Sequence, residues 1–199
     1  MHFARILARM FIRGDERNQG VNCMRVDIDS VEIRASDYDK YSGCSQSVLL
    51  ALQEGFNIGN LESFKAATVL SGGVARSGET CGALIGGLMA LGLVKGREEM
   101  KDSDTYMKAV NIAVDIRSRF MSELTKMFCF KDELKSTLCR DIQERIYGRH
   151  FDLTDPDGLQ AFLEAGGHSE EGCPKVCRIA ARVTAEKISE IMSRGSPDY

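Results

Sequence analysis

Apolar side chains recur with a helical period along most of this chain, and the longest such stripe runs from residue 104 to residue 128. Its members fall at steps of three, four and seven residues: Met107, Val110, Val114, Met121, Leu124 and Phe128. This spacing puts them on one face of an α-helix, and an apolar helix face must be covered by other helices. The chain therefore predicts an all-α fold, a bundle of five or six helices.

Serine, glycine and proline mark the ends of the other predicted helices. Their approximate bounds are residues 42–54, 61–70, 80–93, 136–147, 156–165 and 174–193. Before them, apolar and polar residues alternate across residues 24–33, which predicts a short extended segment. We therefore expect residues 1–40 to be an N-terminal extension, residues 41–193 to be the helical domain and residues 194–199 to be a C-terminal tail.

The charge balance and the shortness of the apolar runs argue against two classes of function. The chain has 26 basic and 29 acidic residues, a net charge of −3 and no long basic run, so we expect no nucleic-acid binding. No apolar run reaches the ~18 residues that span a bilayer, so we expect no membrane insertion. The first residues lack the unbroken apolar stretch and the cleavage site of a secretory signal, and we expect a cytoplasmic protein.

The predicted helix at residues 80–93 is unusually rich in glycine. Gly82, Gly86 and Gly87 lie inside it, and Gly92 lies near its end. Each interior glycine destabilises a helix by up to ~1 kcal/mol relative to alanine, so this number of glycines needs a reason. We expect that a second backbone or a cofactor comes close to this helix.

The cysteines are the strongest indication of chemistry in the sequence. There are seven of them: Cys23, Cys44, Cys81, Cys129, Cys139, Cys173 and Cys177. In a reducing compartment, clustered cysteines indicate metal binding or catalysis rather than disulfides. The alternative for any one of them is a small buried apolar residue. Cys23 and Cys129 look like bystanders, and we expect Cys129, which ends the longest apolar stripe, to lie in the core.

Four cysteines, Cys44, Cys81, Cys139 and Cys173, fall at or near the start of a predicted helix. The backbone N–H groups there are unpaired and carry partial positive charge, which stabilises a thiolate and lowers the pKa of the cysteine. A thiolate is both a nucleophile and a metal ligand, and such N–H groups also donate to sulfur in a cluster. We expect Cys173 itself to be an N-cap, because Pro174 favours the first helical position.

No local metal-binding motif accompanies these cysteines. The sequence contains no C-x-x-C, and Cys173 and Cys177 form a C-x₃-C, one helical turn apart. The other spacings match no zinc-finger pattern, so a shared site requires the fold to bring distant cysteines together. No C-x-x-C-H occurs, which argues against covalently attached haem.

Four segments of the chain resemble the C_GCAxxG_C_C family of redox-active proteins. They are residues 43–48, 78–86, 138–141 and 172–176, and the most specific element reads CGALIG here. The resemblance covers roughly residues 40–192, most of the chain. The positions that match the four cysteines of the family are Cys44, Cys81, Cys139 and Cys173, and Cys177 competes with Cys173 for the last place.

This family is similar to the non-haem part of split-Soret cytochrome c, and that relation implies a [2Fe–2S]-type cluster or a related iron site. The motif cysteines would be the ligands, and Gly82 and Gly86 would give room for the cofactor. The resemblance also implies a homodimer and a redox partner whose identity the sequence does not reveal. Electron transfer through haem is not implied, since the haem attachment motifs are missing.

Two other functions fit the same cysteines. In a thiol–disulfide oxidoreductase, Cys81 would attack a disulfide and a second cysteine would resolve the mixed disulfide. In a helical scaffold, the thiolates would hold a structural Zn²⁺, or no metal at all. His168, five residues before Cys173 in a glycine-rich loop, fits a solvated loop histidine, with a ligand or proton donor as the alternative.

Overall fold

The computed structural model of the chain describes residues 26–194, and these residues form eight α-helices. The helices are α1 (Ile28–Asp39), α2 (Cys44–Phe56), α3 (Leu61–Ala66), α4 (Gly82–Lys95), α5 (Ser103–Met127), α6 (Cys139–Tyr147), α7 (Pro156–Glu164) and α8 (Cys173–Ser193). A short 3₁₀ turn, Thr68–Leu70, follows α3. The all-α prediction is confirmed. The predicted helix at residues 61–70 is divided into α3 and this turn, and the other predicted bounds agree within three residues.

Five helices, α1, α2, α4, α5 and α8, pack against one another as a bundle. The C-terminal helix α8 lies at its centre and contacts each of the other four. It can approach all four because several of its buried side chains are small, including those of Ala180, Ala181 and Ala185. Helix α5 covers one side of this bundle with Ile116, Phe120 and Leu124, all of them buried. Of the predicted stripe only Leu124 is among these three, and the expected burial of Met107 and Val114 is wrong, since both are exposed. The short helices α3, α6 and α7 lie outside this group of five, in the segments that connect its helices.

The first helix corrects one prediction from the sequence. Residues 28–33 are helical, so the extended segment expected at residues 24–33 is wrong over those six residues. The Asp27 side chain caps α1 by accepting a hydrogen bond from the backbone N–H of Ser30 at 3.2 Å. Val31 and Ala35, one turn apart, are fully buried against the bundle, so α1 belongs to the same core as the later helices. The domain boundary at residue 40 stays a prediction.

The glycine-rich helix α4 is apolar around most of its circumference because it lies between α2 and α8. A side chain at Gly86 would run into the backbone carbonyl of Ser45 on α2, and one at Gly87 would lie 2.5 Å from Thr184 Oγ1 on α8. The expected approach of a second backbone is therefore confirmed at Gly86. In the part of the chain that the structure describes, no helix is long and apolar enough to cross a membrane.

The packing at Gly86 predicts a specific loss of stability. We expect Gly86→Ala to lower the free energy of unfolding by about 1–3 kcal/mol, because the added methyl group forces α4 away from α2. Gly92→Ala is the matched control, since none of the described residues comes within 4 Å of the added atom. It should leave stability unchanged or raise it by up to ~1 kcal/mol. Urea unfolding of both variants measures the difference, and equal midpoints would contradict the packing argument.

Candidate functional site

A cavity of about 60 Å³ lies where the N-terminal ends of four helices meet, and we call it the thiol cavity. Its lining includes the side chains of five cysteines: Cys44, Cys81, Cys139, Cys173 and Cys177. The volume exceeds the roughly 10–15 Å³ that one water molecule needs. The fold thus brings to one place all five cysteines that the sequence singled out, although they come from four separate parts of the chain.

The helix-start positions predicted for four of these cysteines are confirmed. Cys44, Cys139 and Cys173 are the first residues of α2, α6 and α8, and Cys81 is the N-cap of α4. For Cys173 the register differs by one residue, because Gly172 takes the N-cap position. At α4 the backbone N–H groups of Ala83 and Leu84 donate to the Cys81 sulfur, whereas at α6 the first two N–H groups donate to the carbonyls of Glu79 and Gly78.

A short backbone pairing holds Cys81 beside Cys139. The N–H of Cys81 donates to the carbonyl of Thr137 at 2.8 Å, and the N–H of Cys139 donates to the carbonyl of Glu79 at 2.6 Å. The two segments run antiparallel and form an isolated bridge between Thr80 and Leu138. Main-chain hydrogen bonds thus fix the relative positions of two thiols that are far apart in sequence.

A left-handed turn lies against the same two elements. Five consecutive residues, Gly72 to Arg76, have positive φ, including 58° at the β-branched Val74. A left-handed conformation costs a non-glycine residue roughly 1–2 kcal/mol. Backbone hydrogen bonds within the turn offset this cost, including those from the N–H of Ala75 to the Val69 carbonyl and from the N–H of Gly78 to the Gly72 carbonyl. Gly72 donates a backbone hydrogen bond to the sulfur of Cys44, and Gly73 lies so close to Cys139 that an added Cβ would come within 2.7 Å of its Cβ.

The two glycines expected to make room for a cofactor have different neighbours. A Cβ at Gly82 would lie 2.6 Å from Cys44 Sγ, so the missing side chain leaves space for a thiol of the cavity. Gly86 faces the backbone of α2 instead. Cys177 also lies against Cys44, with its Sγ 3.9 Å from the Cys44 carbonyl oxygen. Direct contact of either glycine with a cofactor stays a prediction.

Helix α6 contributes two polar side chains that sequence reasoning did not single out. Gln143 Nε2 lies 3.7 Å from Cys139 Sγ, and Tyr147 Oη lies 4.0 Å from Cys173 Sγ, each as a weak donor to sulfur. Both residues follow Cys139 at multiples of four, so they share its helix face. That spacing is the signal that could have found them.

A buried carboxylate completes the lining. Asp39, the last residue of α1, has no exposed surface, and its Oδ2 lies 3.1 Å from His168 Nδ1. Its Oδ1 has no hydrogen-bond partner among the described residues. The expectation that His168 is solvated is wrong, since its side chain is 23% exposed and its ring packs edge-on against Phe162. Sequence reasoning missed Asp39 because it falls within the predicted N-terminal extension, and no motif marks it.

Burial raises the pKa of all five cysteines of the cavity above the usual thiol range, and the Asp39 carboxylate raises each pKa further. At Cys81, the backbone N–H groups of Leu84 and Ala83 lower the pKa, as the helix-start argument predicts, but burial has the larger effect. The prediction of lowered cysteine pKa values is therefore wrong for the cavity without a bound cation. At neutral pH the five thiols are protonated.

Of the two remaining cysteines, the structure describes Cys129. Cys129 is exposed, with a φ of 53°, just after the C-terminal end of α5, so its expected place in the core is wrong. Helix α5 ends at Met127, so Cys129 does not continue the buried face of that helix. Cys23 lies outside the described residues. Within residues 26–194, no three His, Cys, Asp or Glu side chains are already arranged to hold a metal ion.

A comparison with protein-family models agrees with this site. The model described as "Putative redox-active protein (C_GCAxxG_C_C)" matches residues 42–187. The matched range begins just before Cys44 and extends past Cys177, so it contains every cysteine of the thiol cavity. No curated protein and no solved structure matches the chain at a significant level.

Burial and the raised pKa values predict slow modification of the cavity thiols. In the reduced, metal-free protein at neutral pH, we expect iodoacetamide to label exposed Cys129 well before Cys81, Cys139 or Cys177. A raised pKa leaves less thiolate at a given pH, so labelling of these three should rise only as pH increases beyond the usual thiol range. Peptide mass spectrometry reports each site separately. Equal labelling of Cys81 and Cys129 in the folded protein would contradict this prediction.

Proposed function

The chain belongs to the C_GCAxxG_C_C family of redox-active proteins, and we propose that its thiol cavity binds an iron–sulfur cluster, of the [2Fe–2S] type, for electron transfer or redox sensing. The observation that carries the proposal is the convergence of five cysteines on one cavity. Buried thiols that served only as small apolar residues would have no reason to come from four helix starts and meet in one place.

The donor set fits such a cluster in its chemistry. Iron–sulfur clusters are held by cysteine thiolates, and the cavity offers one more than the usual four. We propose Cys44, Cys81, Cys139 and Cys173 as the ligands, with Cys177 as the competitor of Cys173. The side chains must still rearrange, because the described residues hold no preformed metal group. Binding must also release the thiol protons, since only thiolates are ligands.

The surroundings of the thiols support the same proposal. The backbone N–H groups of Ala83 and Leu84 donate to the Cys81 sulfur, and that of Gly72 donates to the Cys44 sulfur. Hydrogen bonds of this kind stabilise thiolate charge and tune the potential of a bound cluster. Apolar side chains such as Ile142 and Val176 line the rest of the cavity and restrict the access of water. A cluster in this position would supply one-electron transfer.

The thiol–disulfide alternative uses the same proximity of sulfurs. A Cys81 thiolate would attack one sulfur of a substrate disulfide and expel the other as a thiolate. A second cysteine thiolate would then attack the Cys81 sulfur, form a disulfide with Cys81 and release the remaining substrate sulfur as a thiolate. The burial that raises the pKa of Cys81 makes it a poor attacking group at neutral pH, so the structure favours the metal-binding proposal. A structural zinc site needs the same four thiolates and is separated from iron only by experiment.

We propose that the protein works in the cytoplasm with a redox partner that is not identified. The support is the state of its cysteines, since the six that the structure describes are all free and thiols persist in a reducing compartment. The homodimer implied by the cytochrome relation stays part of this proposal.

Purification without air tests the cluster. We expect the wild-type protein to absorb broadly in the visible range and to contain iron and acid-labile sulfide. Cys81→Ser should lose most of both, because Cys81 lines the cavity, whereas Cys129→Ser should keep them, because Cys129 is exposed and lies outside it. A colourless wild-type preparation without metal would contradict the proposal.

The same preparations separate the alternatives. Zinc without iron, together with unfolding on chelation, would favour the structural zinc site. Dithiol-dependent reduction of a test disulfide by the metal-free protein, lost in Cys81→Ser and kept in Cys129→Ser, would favour the thiol–disulfide enzyme.

A further inference from the structure

The carboxylate of Asp39 is the one acidic group among the residues that line the thiol cavity. Its side chain is fully buried, and only Oδ2 is engaged, by His168. Its Oδ1 has no hydrogen-bond partner within the part of the chain that the structure describes. Burial of an ionised carboxylate costs several kcal/mol or more unless each of its oxygens has a partner. A carboxylate oxygen without a partner in the lining of a cavity therefore indicates a missing ligand.

His168 fixes the direction of this carboxylate. It holds Oδ2 at 3.1 Å, and its own ring is held by edge-on packing against Phe162 at a centroid distance of 5.5 Å. A carboxylate held by one oxygen and free at the other resembles the way proteins orient metal-binding carboxylates through an outer partner. The pair joins the end of α1 to the loop before α8.

The charges around the cavity favour a cation as the occupant. The Asp39 carboxylate lines the cavity together with the thiols of Cys44, Cys173 and Cys177. Arg76, on the left-handed turn, also lines the cavity, but it has no ion pair with Asp39 in the described residues. A metal cation would be attracted by the carboxylate and would stabilise the thiolates at the same time.

We infer that Asp39 Oδ1 is an oxygen ligand of a metal ion in the thiol cavity, which makes this a mixed thiolate–carboxylate site with His168 as the positioning residue. The inference rests on the proposed function, since it assumes that the cavity binds metal. It adds a ligand outside the four-cysteine pattern and outside the matched range of residues 42–187. Iron accepts both sulfur and oxygen donors, so the mixed set is compatible with the proposed cluster.

Anaerobic titration of the reduced, metal-free protein with Co²⁺ tests the ligand. Cobalt bound to thiolates absorbs in the visible range, so the spectrum reports binding without any assay of activity. We expect Asp39→Asn to weaken Co²⁺ binding by about 10–100-fold, the usual effect of removing a group that supports a metal site. Asp37→Asn is the matched control: it removes the same charge from the same helix, but the Asp37 side chain is exposed and, among residues 26–194, its one ion pair is with Lys40. It should bind Co²⁺ as the wild type does.

X-ray absorption of the cobalt-loaded wild type provides a second measurement that needs no variant. We expect a coordination shell with oxygen beside sulfur, and a shell of sulfur alone would overturn the inference. Equal Co²⁺ affinity of Asp39→Asn and wild type would overturn it as well, and so would a wild type that binds no Co²⁺. The iron and sulfide contents of anaerobic preparations are measured independently, so a failure of this inference is distinguishable from a failure of the proposed function.

Discussion

The close approach of α4 to α2 is the contact on which the rest of the site depends. Gly86 removes the side chain that would collide with the backbone at Ser45, and Gly82, one turn earlier, leaves space beside Cys44. Both helices therefore begin side by side, with Cys44 opening one and Cys81 capping the other. The conformational cost of glycine in α4 is offset by this packing, which nothing larger would allow.

Once the helix starts meet, burial decides the chemistry of the thiols. A helix N-terminus favours a thiolate, but it does so with partial charges, whereas removal of a thiolate from water is a larger penalty. Cys81 is subject to both the helix start and burial, and its pKa is raised because burial has the larger effect. The cavity is therefore suited to thiols that lose their protons when a cation enters, and less suited to a nucleophile that must be ionised beforehand. Asp39 strengthens this preference for a cation.

The elements around the cavity explain why its parts are so widely scattered in sequence. The antiparallel pairing places Cys81 beside Cys139, and Gly72 in the left-handed turn donates a backbone hydrogen bond to the Cys44 sulfur. Neither the antiparallel pairing nor the left-handed turn has a strong signature in the sequence. The pairing is a few residues long, and the turn includes Val74, although valine usually avoids positive φ. The pairing is held by contacts between distant segments, and the turn is held by backbone hydrogen bonds within residues 69–79.

The sequence by itself determined the helices, because apolar period and capping residues act over a few positions, and it placed four cysteines at helix starts for the same reason. It did not determine which groups are buried, because burial depends on contacts between distant segments. Cys129 was expected in the core and is exposed, and His168 was expected in solvent and contacts Asp39. Residues 28–33 were expected to be extended, but they are helical and belong to the bundle. Only the tertiary structure brought five thiols and one carboxylate to a single cavity, and only burial there reversed the expected direction of the cysteine pKa values.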